Sequence, residues 1–229
     1  AVALLVWALG ALLAFRRWIR GAVRRRRARK QRRRDLAVVR ASAKVNEFRS
    51  AHDEETVLLD EQPRARASSM SRPQITAALR DAESATERGD FRAAADLYSD
   101  VIDASPDHVP AHLARGRVHL DLGDYNRAMS DFVAAEDLEP DSPEPPIAMG
   151  ELYFARKDYA RAIGCFDIAL GLAPDHAMGH CRRGLSYFYR KNYPLALEDL
   201  FRARSLDAEI PYLDAHIAAT QRKIKEEKP

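Results

Sequence analysis

The chain has 229 residues and carries 37 Lys and Arg against 34 Asp and Glu, a formal charge of +3. Residues 1–34 hold twelve of the bases and no acid, which leaves 25 bases against 34 acids in the remainder. A uniformly basic nucleic-acid-binding domain, with positive charge spread over its folded part, is therefore excluded. Two cysteines, Cys165 and Cys181, are too few for a disulfide scaffold or a cysteine-rich zinc module, and free thiols are expected.

Residues 1–15 (AVALLVWALGALLAF) are apolar or small without interruption. As a helix they reach about 22 Å, at roughly 1.5 Å per residue, short of a hydrocarbon layer of about 30 Å. Snorkelling of Arg16 and Arg17 would let Trp18 and Ile19 extend the span. The expectation is a transmembrane anchor over residues 1–20. A signal-peptide core fits less well, because the charges come after the apolar run instead of preceding it. A helix buried in a larger assembly is the other alternative. Bases on the C-terminal flank place the rest of the chain on the cytoplasmic side of a bacterial inner membrane or an organelle membrane.

Residues 21–50 are read as a basic juxtamembrane helix. With Arg16, Arg17 and Arg20, the run Arg24, Arg25, Arg26 and Arg27 is expected to face anionic lipid head groups. It contains no aromatic residue that could stack on a base, so RNA binding is the weaker reading. Leu36, Val39, Ala43 and Phe48 have roughly helical spacing. Residues 51–74 read as a linker, with the acids Asp53, Glu54 and Glu55, then Pro63, and a basophilic kinase-like spacing at Arg64, Arg66 and Ser69.

From Ile75 the sequence repeats every 34 residues. Gly89, Gly123, Lys157 and Lys191 are in step, followed by Asp90, Asp124, Asp158 and Asn192, and by Phe91, Tyr125, Tyr159 and Tyr193. Further columns are Ala94, Ala128, Ala162 and Ala196, then Tyr98, Phe132, Phe166 and Leu200, then Val101, Ala135, Ala169 and Ala203. Ala82, Gly116, Gly150 and Gly184 form an earlier one, and Pro106, Pro140 and Pro174 close three units, with Ala208 in the fourth. These columns predict pairs of helices that meet closely at Ala and Gly, turn at Gly-Asp or Lys-Asp/Asn, and end at Pro. No pair can bury its apolar face alone, so neighbouring units must stack.

In period and pattern this segment resembles the tetratricopeptide repeat (TPR) family. The resemblance implies an all-α, right-handed solenoid of four helix-turn-helix units, 75–108, 109–142, 143–176 and 177–210. Residues 211–229 are expected to cap it, with Tyr212, Leu213, His216, Ile217 and Thr220 packing on the fourth unit. The family is a general protein-binding scaffold whose concave surface is lined by the first helix of each unit. Carried over, the lining positions are Thr76, Leu79, Glu83 and Thr86; Pro110, Leu113, Arg117 and Leu120; Glu144, Ile147, Glu151 and Phe154; Met178, Cys181, Leu185 and Phe188.

Members that clamp acidic chaperone tails use Lys, Asn and Arg at such positions. Here Leu79, Leu113, Ile147 and Ala148 stand instead, and Arg117, Arg182 and Arg183 are the only nearby cations. The groove is expected to accept a protein partner, as an amphipathic helix or extended peptide, on Leu113, Leu120, Ile147, Phe154, Cys181, Leu185 and Phe188, with Arg117 and Glu151 setting polar contacts. Packing between units is the competing explanation for the same apolar residues.

No phosphate loop, GxSxG, HExxH or CxxC motif is present, so neither an enzyme nor a cofactor nor a small-molecule substrate is expected. His108/His112 and His176/His180 each straddle a Pro-Asp turn and the next helix, and at least one member of each pair is read as a packing residue; with Cys181 adjacent, His176/His180 is the best metal candidate, though a weak one. The acids Asp103, Asp107, Asp141 and Asp175 are read as helix caps and solubilising charge. The chain as a whole is expected to be a membrane-anchored adaptor. An accessory subunit of a membrane complex and an RNA-associated protein are the alternatives.

Overall fold

The computed structural model describes residues 70–207 and 209–227. The expected anchor (1–20), basic helix (21–50) and nearly all of the linker lie outside the described residues. Among the described residues no helix is long and apolar enough to cross a membrane.

All secondary structure described is helical: α1 (Arg72–Glu87), α2 (Phe91–Ala104), α3 (Val109–Asp121), α4 (Tyr125–Leu138), α5 (Glu144–Ala155), α6 (Tyr159–Leu172), α7 (Ala177–Tyr189), α8 (Tyr193–Leu206) and α9 (Leu213–Glu226). Each helix packs on the next in sequence. The first helices of successive units also touch, α3 on α5 and α5 on α7. α1 starts at Arg72, inside the expected linker, because Gln74 Oε1 accepts from both the backbone N–H and the hydroxyl of Ser71. That contact closes the first turn and starts the helix three residues early.

The period of 34 is built from three local devices. The first is the turn between helices, where φ is positive at Gly89 (78°), Gly123 (75°), Lys157 (62°) and Lys191 (61°). The second is the residue immediately after it. The side chains of Asp90, Asp124, Asp158 and Asn192 accept from the backbone N–H three residues on, capping α2, α4, α6 and α8. Those positions, and not Asp103, Asp107, Asp141 and Asp175, supply these caps. Asp103, Asp107, Asp141 and Asp175 are exposed; Asp107 accepts from the Ser105 hydroxyl and Asp175 from Arg202.

The third device is the extended residue before proline: Ser105, Glu139 and Ala173 leave the helix at φ −146°, −133° and −125°. Asp207 does the same at φ −149° without a proline after it. The late Pro211 is therefore no defect in the fourth unit.

Packing follows the columns. Ala82, Ala94, Ala128, Ala162 and Ala196 are fully buried, as are Phe132, Phe166 and Leu200. One apolar cluster joins Ala82, Tyr98 and Val101 to Ala111 and Val118 of the second unit. Another runs from Leu113 and Phe132 through Ile147 and Leu152 to Phe166. A third holds Cys181, Leu185, Leu200 and Ile210 against Leu213 and Ile217 of the cap. Each cluster draws on two consecutive units or on a unit and the cap, as stacking requires.

Leu213, Ile217 and Thr220 seal the end, at 2%, 4% and 0% exposure, and His216 is half-buried. Tyr212 departs from expectation. It takes a left-handed φ of 60° at the start of α9, and its ring is 81% exposed. The turn that brings Leu213 inward points it outward.

A β-carbon at Gly150 would lie 2.6 Å from Phe166 Cε1 and 2.8 Å from its Cζ, and one at Gly116 would collide with Phe132 in the same way. Both rings are fully buried and cannot retreat. Gly150→Ala is expected to cost about 1–3 kcal/mol, the range for overpacking a tight core, read as a fall in the denaturation midpoint. Gly171→Ala, with nothing within 4 Å of the added carbon, should leave stability unchanged or raise it.

Candidate functional site

The concave face carries two kinds of residue. Leu113, Ile147, Cys181 and Leu185 are buried, at 8%, 4%, 4% and 8% exposure, and belong to the clusters between units. Their surface is not open to a partner, so for these four the packing explanation holds. Leu120, Phe154 and Phe188 are half-buried and retain accessible surface. Phe154 touches two clusters, one on each side.

The polar groove residues are tied to one another. Arg117 lies 3.5 Å from Glu144 of the next unit, and Arg182 lies 3.5 Å from Glu151 of the unit before. His176 Nε2 is 3.8 Å from the same Glu144. The two arginine pairs cross the inner surface from unit to unit and neutralise each other. At 46% and 45% side-chain exposure, the Arg117–Glu144 pair contributes at most about 1 kcal/mol to stability, so a charged partner can exchange it cheaply. The arginines are not arranged as a carboxylate clamp.

Beneath the groove lies a polar network that the 34-residue columns did not reveal. In the second unit Arg115 donates from Nε and Nη2 to Asp131 and from Nη1 to the Ser99 hydroxyl. His112 Nε2 meets the Pro106 carbonyl at 2.9 Å, and its Nδ1 lies 3.7 Å from Asp131 Oδ1. In the fourth unit Arg183 donates to both oxygens of Asp199 and to Asp167, each at 2.7 Å. His180 sits between the Pro174 carbonyl at 3.0 Å and Asp199 at 2.9 Å. The histidine, arginine and aspartate all recur at 68 residues, twice the period. The first and third units have Ala78 and Pro146 in place of the histidine and Asp81 and Met149 in place of the arginine. A search at double the period would have found it.

The four histidines of the two pairs take part in helix caps and in this network. His108 and His176 cap α3 and α7, each accepting from a backbone N–H through Nδ1. His180 has both ring nitrogens engaged. Neither nitrogen of that ring is left for a metal, and the described residues contain no group of three or more potential ligands. Burial, first of all, pushes the Cys165 thiol up to about 12, and burial raises Cys181 too. Both cysteines are free, buried thiols and so poor nucleophiles.

At the turn end of the third and fourth units a second surface appears. The rings of Tyr159 and Tyr189 stack, with centroids 4.9 Å apart and planes 11° from parallel. Phe154 meets both edge-on at 5.4 and 5.6 Å, and Phe188 meets Tyr189 at 5.7 Å. Tyr189 is 52% exposed. The left-handed residue in these two turns is lysine, at a cost of about 1 kcal/mol relative to glycine.

Sequence models of the tetratricopeptide repeat match residues 76–143 and 119–180. The chain belongs to the tetratricopeptide repeat family. No curated protein matches the sequence. Among solved structures, a thermophilic TPR protein of Thermus thermophilus is 20% identical over 66% of this chain and 82% of its own, with a TM-score of 0.59. PilF of Pseudomonas aeruginosa is 18% identical over 66% of this chain and 69% of its own, with a TM-score of 0.60. A MamA protein is 22% identical over 66% and 82%, with a TM-score of 0.55. At these identities the likeness is one of fold. The TPR fold is an interaction scaffold.

The buried network has two measurable consequences. Asp199→Ala strands Arg183 and His180 and is expected to cost about 3–5 kcal/mol, whereas Asp175→Ala, which breaks an exposed pair with Arg202, should cost under about 1 kcal/mol; denaturant titration measures both. The second consequence concerns pH. Burial works to raise the Asp199 carboxyl, but Arg183 and His180 outweigh it and hold it below its ordinary 3.8, so its stabilisation is present above that value and lost as pH falls through the lower folded one. His119, lowered by burial, adds a loss of the same sign below 6.5. Asp131 raises His112 above 6.5, so its contribution is full below that value and lost as pH rises through the folded one. Stability measured from pH 5.5 to 8 should therefore fall less steeply in His112→Gln than in the parent.

Proposed function

We propose that this TPR protein is a non-enzymatic, membrane-anchored adaptor that recruits a protein partner through its solenoid. Residues 1–20 would fix it in a bilayer. Arg16, Arg17, Arg20 and Arg24–Arg27 would meet anionic head groups there, and the solenoid would lie on the cytoplasmic side. The anchor and the lipid contact rest on the apolar run and the basic block of the sequence.

The observation that carries recruitment is the accessible strip of Leu120, Phe154 and Phe188 beside the exchangeable Arg117–Glu144 ion pair. The array buries Leu113, Ile147, Cys181 and Leu185 and leaves these three half-open. A partner entering as a helix or an extended peptide would cover them and could replace the Arg117–Glu144 and Glu151–Arg182 pairs.

The full chain, purified from membranes in mild detergent and used as bait, is expected to retain a partner that Phe188→Ala and Leu120→Ala release. The helical circular dichroism of both variants should match the parent. Equal retention by folded variants would remove the groove from this reading, and release of the chain from membranes by alkaline carbonate would remove the anchor.

A further inference from the structure

The four turns joining the helices of each unit line one edge of the solenoid, and their chemistry divides between the two halves. The first two turns carry Glu87 and Asp90, then Asp121 and Asp124, with Arg88 as the one base. The last two carry Arg156 and Lys157, then Arg190 and Lys191. Asp158 is the acid beside them, and it is engaged, capping α6 and lying 3.3 Å from Arg161. None of the four bases makes an ion pair among the described residues; Arg156 is placed over the Tyr125 ring at 5.9 Å. A protein whose remainder is acidic has thus gathered unpaired positive charge at one place.

Backbone geometry sets these lysines apart from ordinary surface bases. The turn requires a left-handed residue, and the first two units meet that requirement with Gly89 and Gly123. The last two place Lys157 and Lys191 there at φ 62° and 61°, a conformation that residues with a β-carbon rarely adopt. Local folding is served better by glycine, and an observed backbone outlier of this kind is a ground for inferring function. Arg190 of the fourth unit reaches over the turn of the third. With Arg156, Lys157, Asp158, Tyr159 and Ala160 it lines an open recess of about 420 Å³. The exposed face of Tyr189, backed by Tyr159, stands beside it.

We propose that this recess and the Tyr189 face bind a short acidic segment of a partner protein, bearing an aromatic or large apolar side chain. The carboxylates would meet Lys157, Arg190 and Lys191, and the apolar side chain would lie on Tyr189. Charge complementarity selects a short segment over an extended polyanion, because a nucleic acid or a lipid surface running along the edge would meet Glu87, Asp90, Asp121 and Asp124 within two units. The inference rests on the recruitment reading above and names the chemistry of its partner. It uses different residues from the groove strip, so the two can fail separately.

The test uses the full chain in mild detergent and a fluorescent heptapeptide of glutamates around one tryptophan, titrated by anisotropy. Saturable binding is expected, weakened at least tenfold when the glutamates are replaced by glutamine and at least threefold when the tryptophan is replaced by alanine. Arg190→Glu should weaken it at least tenfold, and Tyr189→Ala at least threefold. Lys157→Gly with Lys191→Gly relieves the backbone and cannot fail to fold for want of it. This double variant should melt at a higher temperature than the parent and yet bind the peptide at least fivefold more weakly.

Equal binding by the glycine variant would overturn the proposal. So would retention of an oligouridylate or of phosphatidylserine vesicles on these same residues when the peptide does not bind. A gain in peptide affinity in Asp53→Asn/Glu54→Gln/Glu55→Gln would assign the site to the chain's own acidic stretch and overturn a partner in trans. If Phe188→Ala releases a partner that Arg190→Glu retains, the recruitment reading stands and this site falls.

Discussion

The array depends on one steric contact made four times. Within each unit a small residue of the first helix faces a large one of the second: Ala82 with Tyr98, Gly116 with Phe132, Gly150 with Phe166, and Gly184 with Leu200. Where the large residue is phenylalanine, no β-carbon fits opposite, and the ring occupies the space that a side chain would have taken. This contact fixes how closely the two helices approach and hence which faces remain to be covered by the next unit. Helix packing is set by what stands at the crossing, and here the crossing residue is written once per 34.

Around that contact the units are not equivalent. The second and fourth bury a histidine, arginine and aspartate network that bridges to Ser99 or Asp167 of the preceding unit. In the first and third units the corresponding positions carry different side chains. Buried charges of this kind are satisfied only in one arrangement. The network therefore holds alternate junctions in register, while the apolar clusters fill the remainder. The groove inherits the consequence: the second network holds α7, the helix that presents Phe188 and Tyr189, against α8.

Much of the fold could be read in the sequence because repetition amplifies weak signals. A single Gly-Asp-Phe triplet says little, but four in step define a turn, and a small-residue column defines a crossing. The cap could be read for the same reason: Leu213, Ile217 and Thr220 continue a helical stripe after the repeats stop. The site was less legible. Leu113, Ile147, Cys181 and Leu185 have the residue types of a groove and the burial of a core, and type alone does not separate these. Tyr159 and Tyr189 are 30 residues apart, in different columns, and nothing in the period pairs them.

By itself, then, the sequence determined the helices, their pairing, their number of units and the family, since these come from local periodicities that the backbone must obey. The division of charge into a basic head and an acidic body is likewise a property of the chain alone. Only the tertiary structure decided which apolar side chains close the junctions and which stay open, because burial depends on the neighbour a side chain meets. It alone also decided that the turns of the third and fourth units hold bases with no ion pair among the described residues, beside a stacked pair of tyrosines. Such a surface arises when α5 and the start of α6 are laid beside α7, and no one-dimensional pattern contains that adjacency.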